Sequence, residues 1–541
     1  MVVSHLLLAA SLGALAAAEN SRSPTPPMGW NSYNYYNCFP NETIIKTNAD
    51  GLVKSGLADL GYKMVTTDCG WNAPERDAAG KLQFNPSLFP SGGPALGKYI
   101  HDRGLKFGLY SGGGYYQCGG DVRIPASLGY ETLDAQTFAD WGGDSLKYDN
   151  CFANSTTEMV DYTGAEWISP TRFQVMAKAI DAVSRPMQYY VCQWGVGTDI
   201  GQWASAIGNT YRISNDISKG WASIWRIANQ IVPYYKWTKP GAFPDMDMLT
   251  VGLGGLTPTE ERFHFGLWAI NKSPLIIGAS VAGTNLPKDS RAILSNKEVI
   301  ALNQDALGKG AQLVRRYGPE QWDVWAGDLS GFRKVVAIAN WKNSTQEVNL
   351  DLRSVGVDSA TARDVWGARE LGKIKGTRAF KLAAHELKLL VLSRIEEAAS
   401  YKSTGYHSAA DATLAGTAAV TNCASGQCLP TGKKVGSIGA GASVKFEKVA
   451  AKTGGRKVVG IDFINYEIVF WVGDNTRSVA ISVNGGAPQT WSFPISGGNW
   501  FETGRLTTEL DGFVADGGNT ITFTNVATGW AVDFVGVEVL E

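Results

Sequence analysis

DSLKYD at residues 144–149 is a short β-rich run that ends in a carboxylate, and seven further β-rich runs lie between residues 25 and 305. Helix-like stretches separate the runs, and this alternation is typical of a parallel sheet with crossover helices. Eight strand-and-helix units are the number that closes a (β/α)8 TIM barrel, so we predict this fold for residues 25–305. The other runs are MGWNSY (28–33), KMVTTD (63–68), LKFGLY (105–110), YYVCQW (189–194), TYRISND (210–216), AFPDMD (242–247) and PLIIGA (274–279).

The remainder of the chain predicts two further domains built of β-strands. Residues 306–397 contain alternating runs such as KVVAIANW at 334–341, which are typical of an antiparallel β-sandwich. Residues 398–404, AASYKST, lie between the two β-rich regions and are expected to be a linker. Residues 405–541 alternate again and are rich in glycine, which predicts a second, jelly-roll-like β-sandwich. The protein is therefore predicted to be multidomain, as its 541 residues allow.

The N-terminus carries a predicted secretory signal peptide at residues 1–18. Residues 6–18, LLLAASLGALAAA, are apolar but too short to span a membrane, and they end in small residues that suit signal peptidase. No Lys or Arg precedes them, which leaves a buried N-terminal helix as the alternative. Four glycosylation sequons fit the secretory route, so we expect a secreted, extracellular glycoprotein. The sequons begin at Asn41, Asn154, Asn271 and Asn343.

Charge and cysteine content argue against several classes of partner. The 49 basic and 50 acidic residues give a net charge of -1, so no field of one sign exists to attract a nucleic acid. After the N-terminus, no apolar run approaches the roughly 20 residues of a membrane helix, and we expect no membrane partner. The 7 cysteines form no paired CxxC arrays and lie far from the 5 histidines, which argues against a zinc site. The oligomeric state stays open.

Carboxylates end four of the eight predicted strands. Because the carboxyl ends of barrel strands build the active site, these side chains are expected to converge. No histidine accompanies them, and the sequence offers neither a metal-ligand cluster nor a phosphate-binding glycine loop, so glycoside hydrolysis is the favoured chemistry. An aspartate at a strand end can instead cap a helix or form a turn. The four residues are Asp68, Asp149, Asp216 and Asp247, with Lys147 and Arg212 beside two of them.

Six segments of the predicted barrel carry a more specific signal. They are MGWNSYNYYNC (28–38), TTDCGW (66–71), DAQTFADWGGDSLKYDNC (134–151), CQWG (192–195), YRISNDI (211–217) and PDMDM (244–248). In order and spacing they resemble glycoside hydrolase family 27, the α-galactosidases or melibiases, and the resemblance covers most of residues 25–395. It implies a retaining exo-glycosidase that removes terminal, non-reducing α-D-galactosyl residues. It also implies that catalysis needs no cofactor and no metal in the catalytic site.

The resemblance implies roles for two of the carboxylates. Asp149, in KYDNC, matches the nucleophile of a double displacement, and Asp216, in YRISNDI, matches the general acid/base. Lys147 lies two residues before Asp149 on one strand, so both should face the barrel mouth and the ammonium should keep the nucleophile ionised. Repulsion from Asp149 should favour the protonated form of Asp216. We predict about 5 to 5.5 Å between the two carboxyls, which is the retaining geometry.

The resemblance also implies which residues bind galactose. Asp68 should accept hydrogen bonds from the O4 and O6 side of the sugar, and Tyr33 should stack beneath the ring where the family usually has tryptophan. Gln193 occupies the position that contacts O2 in relatives, and it is too large for the acetamide pocket of N-acetylgalactosaminidases. The full predicted set is Trp30, Tyr33, Asp68, Tyr110, Lys147, Gln193, Arg212 and Asp247.

One position departs from the family pattern and leaves two readings of the substrate. Many relatives have two consecutive aspartates where this chain has Thr67 and Asp68. Loss of a carboxylate near C6 would suit β-L-arabinopyranose, which is galactose without its hydroxymethyl group, so a β-L-arabinopyranosidase is one alternative. If Trp71 instead shifts the loop that carries Thr67 and Asp68, no contact to the sugar is lost. A galactose-binding, lectin-like protein without catalysis is the other alternative, although the retained Asp149 and Asp216 argue against it.

Six of the seven cysteines are expected to form disulfides. By resemblance, two bridges pin the loops that hold Asp68 and Asp149, and a third is expected to close a small loop in the last domain. Cys192 is then a buried free thiol, because Gly208 stands where its partner is usual in the family. The expected pairs are Cys38 with Cys69, Cys118 with Cys151, and Cys423 with Cys428.

The last domain carries its own motifs, SVAISVNGG (478–486), GGNW (497–500), GGNTITF (517–523) and GWAVDFVGVEVL (529–540). They resemble a family 35 carbohydrate-binding module. Trp500 and Trp530 are candidate sugar platforms, with sandwich core as the alternative for both rings, and Asp533 is a candidate calcium ligand as in some relatives. A weakly binding module would raise the local enzyme concentration on a polymer, which suggests that galactomannan-type polysaccharide is a substrate beside α-galactoside oligosaccharides.

Overall fold

A computed structural model of the protein describes residues 22–119, 123–161, 164–468 and 473–541. The predicted signal peptide at residues 1–18 lies outside these ranges. The chain divides into two compact units. The first comprises the chain up to Ile224 together with Trp237–Gly310, and the second comprises Trp225–Lys236 together with Ala311–Glu541.

The first unit contains a TIM-like barrel of parallel strands, which confirms the predicted fold class. Its strands are β1 (Met28–Asn31), β2 (Met64–Thr66), β3 (Lys106–Gly112), β4 (Ser145–Asp149), β5 (Gln188–Cys192), β6 (Thr210–Arg212), β7 (Phe243–Asp245) and β8 (Leu275–Ile277). They lie side by side in the order β7-β6-β5-β4-β3-β2-β1-β8. A parallel bridge between Leu249, just beyond β7, and Ile277 of β8 joins the two ends of this sheet. All eight carboxyl ends therefore point the same way.

Helices follow most of the barrel strands, and local signals fix several of their starts. The Asn41 side chain accepts a hydrogen bond from the Ile44 amide at one start, and Thr257 and Glu260 form a capping box at another. Among the described residues, no helix is long and apolar enough to cross a membrane. The helices are α1 (Tyr33–Tyr36), α2 (Glu42–Lys54), α3 (Gly92–His101), α4 (Glu131–Asp140), α5 (Ala165–Ile168), α6 (Thr171–Ala182), α7 (Ile200–Ala204), α8 (Trp221–Gln230), α9 (Pro258–Ile270), α10 (Lys288–Leu294) and α11 (Lys297–Asn303).

The second unit begins with the predicted antiparallel sandwich. Its strands are β9 (Gln312–Tyr317), β10 (Trp322–Leu329), β11 (Arg333–Asn340), β12 (Gln346–Asp351), β13 (Val357–Asp364), β14 (Arg369–Lys375), β15 (Thr377–Leu382) and β16 (Leu387–Glu397). Six of them form a sheet in the order β14-β13-β16-β11-β10-β9, and β12 pairs with β15. Alternate side chains of both sheets, such as Val336, Leu350 and Leu390, make one buried apolar core.

The last domain is a second antiparallel sandwich of two sheets. Its strands are β17 (Ser403–Ser408), β18 (Thr413–Ala415), β19 (Ala419–Asn422), β20 (Lys433–Gly436), β21 (Ser443–Val449), β22 (Gly455–Ile464), β23 (Arg477–Val483), β24 (Gln489–Phe493), β25 (Gly504–Phe513), β26 (Asn519–Thr524) and β27 (Asp533–Leu540). One sheet has the order β19-β20-β27-β22-β25 with β17 also on β27, and the other has the order β18-β21-β26-β23-β24. β17 begins at Ser403, inside the predicted linker 398–404.

The two sandwiches of the second unit are packed together rather than joined only by a linker. Arg315 of β9 donates to Glu509 of β25 at 2.9 Å, and the Tyr317 hydroxyl donates to the same carboxylate at 3.1 Å. Arg316 forms a two-point ion pair with Asp323 and also donates to the Ser492 carbonyl of β24 at 3.0 Å. Such buried charges are tolerated because each has a partner.

Candidate active site

The carboxyl ends of the barrel strands bring the predicted polar residues together. Asp149 is the last residue of β4, and Lys147 lies two positions before it on the same strand face. Asp68 and Asp247 each lie two residues beyond a strand, and Asp216 lies four residues beyond β6. Seven of the eight strands are shorter than their predicted runs, and three of the four carboxylates lie on loops beyond strand ends.

Asp149 is held by hydrogen bonds and is largely buried. The Tyr110 hydroxyl donates to Oδ2 at 2.9 Å, and the Asn150 amide donates to Oδ1 at 3.0 Å. Burial raises the pKa of Asp149, Lys147 opposes this, and the charges of Asp216 and Asp68 add to it. Lys147 therefore acts in the expected direction on Asp149, and desolvation opposes it.

Lys147 is bonded to Asp68 and not to Asp149. Its ammonium donates to Asp68 Oδ2 at 2.9 Å, and the Asn31 amide donates to the same oxygen at 2.7 Å. Burial would lower the pKa of Lys147, but the neighbouring carboxylates outweigh burial and raise it. The charged pair of Asp68 and Lys147 is thus preformed on the side of the pocket assigned to O4 and O6.

Two tyrosine rings line the space around the Lys147 ammonium. Its Nζ lies 5.6 Å from the ring centroid of Tyr33 and 5.3 Å from that of Tyr110. Burial raises the pKa of Tyr33 to about 12, and the charges of Asp216, Asp68 and Asp149 add to the shift. Tyr33 therefore lies beside Lys147, and its stacking beneath the sugar stays a prediction.

Arg212 connects the acidic residues on the opposite side of the pocket. Its Nη2 lies 2.9 Å from both Asp216 Oδ1 and Asp247 Oδ2. The Asp216 side chain is 42% exposed, whereas Asp247 is buried. Asp247 also accepts hydrogen bonds from the backbone amides of Ile217 and Met248. Asp216 therefore lies between the Arg212 cation and the other carboxylates of the pocket, and its charge raises the pKa of Asp149 and Asp247.

Two predicted substrate contacts lie elsewhere. Trp30 is fully buried, and its indole donates to the Ala279 carbonyl at 2.8 Å. It points away from Asn31, its neighbour on β1, which contacts Asp68; the prediction that Trp30 binds substrate is therefore wrong for this structure. Gln193 is also fully buried, and its amide donates to the Val196 carbonyl at 2.8 Å, so it presents no surface to a sugar.

Thr67, where the family pattern differs, has no exposed surface in the structure. Its amide donates to the Gly108 carbonyl at 3.0 Å, and its hydroxyl has no hydrogen-bond partner among the described residues. Trp71 is fully buried as well, and its indole donates to the Tyr110 carbonyl. Thr67 is thus packed inside the protein behind Asp68.

A cavity of about 40 Å³ extends beneath Lys147 and Arg212 into the barrel. Its lining includes polar residues that were not among the predicted site residues, above all Asp245, Asn31 and the Cys192 thiol. The spacing within the PDMDM segment could have predicted Asp245, because Asp245 and Asp247 are two positions apart and residues at that spacing on a strand share a face. The lining consists of Asn31, Thr66, Lys147, Tyr190, Val191, Cys192, Arg212, Asp245, Asp247, Met248 and Ile276.

The expected disulfides are present, and two of them tie the loops of the pocket. Cys118 follows the loop after β3, and its amide donates to the Tyr110 hydroxyl at 3.3 Å, next to Asp149. Cys192 is free and buried. The bridges join Cys38 to Cys69, Cys118 to Cys151 and Cys423 to Cys428.

The expectation of a calcium site at Asp533 finds no support. The Lys434 ammonium lies 2.7 Å from Asp533 Oδ2, so this carboxylate already has a cation as its partner. Among the residues that the structure describes, no group of three or more His, Cys, Asp or Glu side chains is arranged to hold a metal ion.

Two family models match the chain. The model described as Alpha galactosidase A matches residues 25–305, and the model described as Alpha galactosidase C-terminal beta sandwich domain matches residues 319–392. Together they cover the barrel and most of the first sandwich.

Curated relatives and solved structures agree with these matches. A probable α-galactosidase D from Aspergillus fumigatus is 37% identical over 650 aligned positions, which cover 100% of both chains. The crystal structure of α-galactosidase I from Mortierella vinacea is 33% identical with a TM-score of 0.65, covering 70% of this chain and 99% of that one. A β-L-arabinopyranosidase from Geobacillus stearothermophilus is 25% identical with a TM-score of 0.61, covering 69% and 98%. The chain therefore belongs to the melibiase family of glycoside hydrolases and is an α-galactosidase.

Proposed function

We propose that the protein is a secreted, retaining exo-α-galactosidase that releases terminal, non-reducing galactose from oligosaccharides and galactomannan-type polysaccharide. The observation that carries the proposal is a pair of carboxylates with different surroundings at one pocket. Asp149 is buried at the end of β4, and Asp216 is partly exposed and paired with Arg212. The charge of Asp216 contributes to the raised pKa of Asp149, so the two groups interact. A glycosidic bond needs two such carboxyl groups across it.

The proposed reaction has two displacements. Asp149 attacks the anomeric carbon, the bond to the leaving oxygen breaks, and protonated Asp216 gives its proton to that oxygen. Asp216 then takes a proton from water, whose oxygen attacks the same carbon and releases Asp149. Galactose therefore leaves with its α configuration. The carboxyl separation of about 5 to 5.5 Å stays a prediction of this mechanism.

Selection of galactose is proposed to come from the pair of Asp68 and Lys147. The axial O4 of galactose would exchange hydrogen bonds with this pair, and glucose would leave it unsatisfied. An unpaired buried polar group costs about 1 to 3 kcal/mol, which is enough to discriminate epimers. Thr67 offers no exposed group on this side of the pocket, since its side chain is buried.

We predict that nitrophenyl α-D-galactoside is hydrolysed with a kcat/KM at least about tenfold above that of nitrophenyl β-L-arabinopyranoside. The hydroxymethyl group of galactose adds contacts of about 1.4 kcal/mol or more in the transition state, equal to that ratio. The measurement is the initial rate on both substrates with one enzyme preparation. A faster rate on the arabinoside would show that the lost carboxylate at Thr67 has changed the substrate.

Secretion is supported by the apolar segment 6–18 and by the positions of the sequons. Asn343 is exposed in the loop between β11 and β12. Asn271 is buried, and its Nδ2, the atom that would carry a glycan, donates to the Leu267 carbonyl at 2.9 Å. The four sequons are therefore not equivalent in the folded protein.

We predict that protein secreted from a yeast host carries a glycan on Asn343 and none on Asn271, and that its mature chain begins at Glu19. Mass spectrometry after enzymatic deglycosylation in heavy-oxygen water identifies each modified asparagine by its mass. Asn343→Gln is the matched control and should remove one glycan. Glycan on Asn271, or a chain that keeps residues 1–18, would contradict the proposed route.

Binding to a polysaccharide is proposed to involve one end of the last sandwich. Trp530 precedes β27 and Trp500 precedes β25, and both strands are antiparallel to β22, so both rings lie at the same end. The Arg477 guanidinium lies 4.7 Å from the Trp500 ring centroid and donates to the Ala531 carbonyl. Trp500 packs on a buried cluster, whereas Trp530 is 55% exposed. Trp530 is therefore the better sugar platform.

We predict that Trp530→Ala weakens binding to insoluble galactomannan by about fivefold or more, since an aromatic platform contributes about 0.5 to 1.5 kcal/mol beyond its buried area. Hydrolysis of nitrophenyl α-galactoside should not change. Phe332→Ala, which removes an exposed ring from the first sandwich, is the matched control. Equal retention of all three proteins on the polymer would remove Trp530 from the proposal.

A further inference from the structure

Asp245, the first aspartate of the PDMDM segment, lies beneath the pocket and has no role in the mechanism above. It is the last residue of β7 and lines the cavity below Arg212. Its Oδ1 accepts a hydrogen bond from the Asp247 amide at 2.8 Å. This bond links the strand directly to the carboxylate that pairs with Arg212.

The backbone at Asp247 explains why such a bond is needed. Asp247 has a φ of 78°, in the left-handed region that residues other than glycine rarely adopt. Its amide is bound by Asp245, and its carbonyl accepts from the Trp268 indole at 2.8 Å. Hydrogen bonds thus hold the peptide groups on both sides of the Asp247 Cα. The Asp247 carboxylate is thereby aimed at Arg212 and at the Ile217 amide, next to Asp216.

Asp245 is also linked to Asp216, the proposed acid/base, through the charge of Arg212. Burial would lower the pKa of Arg212, but Asp247, Asp216 and Asp245 outweigh it and raise the value. The guanidinium contacts two of these carboxylates, and Asp245 is the register partner of Arg212 on the neighbouring strand β7. The titratable groups that face Asp245 are Arg212 of β6, Lys147 of β4, Tyr190 and Cys192 of β5, and Asp247 beyond its own strand.

We propose that Asp245 is a positioning residue that orients Asp247. Its negative charge also competes with Asp216 for the positive charge of Arg212. Asp245 thereby sets the pH range in which Asp216 can act as an acid. The inference rests on the proposed role of Asp216. Removing the charge of Asp245 would leave Arg212 to attract Asp216 more strongly, so Asp216 would ionise at lower pH. Burial raises the pKa of Asp245 to about 6, against the opposing charge of Arg212, so this effect operates above that pH.

The decisive variant is Asp245→Asn, because its side-chain oxygen can still accept from the Asp247 amide and only the charge is lost. We expect the alkaline limb of kcat/KM on methyl α-galactoside, whose leaving group needs a proton, to move to lower pH by about 0.5 unit or more. α-Galactosyl fluoride needs no acid, so its kcat/KM should show no such movement. Asp245→Ala also loses the hydrogen bond, so its KM should rise about tenfold in addition.

The matched control is Asp144→Asn at the opposite end of the barrel. Asp144 accepts from Arg185 at 2.6 Å and from His101 at 2.8 Å, so this variant should unfold at lower temperature without moving the alkaline limb. An Asp245→Asn profile that superimposes on that of the wild type would overturn the proposal. If the wild type shows the same alkaline limb on α-galactosyl fluoride as on methyl α-galactoside, Asp216 is not the general acid. The proposal for Asp245 then fails as well.

Discussion

Asp149→Asn should lower kcat/KM on nitrophenyl α-galactoside by about 10⁴-fold or more, because the variant lacks the oxygen nucleophile of the first displacement. Asparagine has nearly the same shape and can still accept from Tyr110, so the fold should not change. Burial raises the pKa of Asp149 above that of the same carboxyl in the unfolded chain. As the pH rises above the unfolded pKa, the charge of Asp149 therefore destabilises the folded protein. The variant should be at least as heat-stable as the wild type at neutral pH.

A buried carboxylate outside the pocket provides the control for this prediction. Asp134 on α4 forms an ion pair with Arg76 at 2.7 Å and has no exposed side-chain surface. Asp134→Asn removes a buried carboxylate charge in the same way but outside the pocket, so the folded protein should keep its activity. Retention of more than about one hundredth of the activity by Asp149→Asn would remove the nucleophile assignment.

Asp216→Ala should lose activity in a way that depends on the leaving group. Methyl α-galactoside needs a proton on its leaving oxygen, so its kcat/KM should fall about 10³-fold, whereas a dinitrophenyl galactoside should lose far less. Azide, which needs no general base, should restore turnover of the activated substrate. The product should be α-galactosyl azide, since azide would attack the enzyme-bound sugar from the face that water uses. Equal losses on both substrates and no azide product would contradict the acid/base role.

The barrel and its carboxylates are visible in the sequence for a simple reason. Parallel strands buried on both sides are short apolar runs, and the residues that end them meet at one edge of the barrel. Asp149 and Asp216 follow from that rule before any contact is known. The same rule of alternate side chains separates Asn31, which contacts Asp68, from Trp30, which packs behind the barrel. Applying it at every strand would have removed Trp30 and added Asp245.

Other features depend on contacts between distant parts of the chain and could not be read from local pattern. Lys434 neutralises Asp533 from a position 99 residues away, and no spacing rule predicts that pair. Arg315 and Glu509, which hold the two sandwiches together, are separated by 194 residues. The burial of Gln193 results from the turn that brings the Val196 carbonyl to its amide. In each case the outcome is set by packing rather than by propensity.

The most direct test of the central claim is to trap the enzyme-bound sugar with 5-fluoro-α-galactosyl fluoride and to sequence the labelled peptide by mass spectrometry. The fluorine at C5 slows both displacements, whereas the fluoride leaving group speeds only the first, so the intermediate should accumulate. We expect one fluorogalactosyl group per chain, attached through an ester to Asp149. A label on any other residue, or complete turnover that releases β-galactose without a trapped intermediate, would contradict the account.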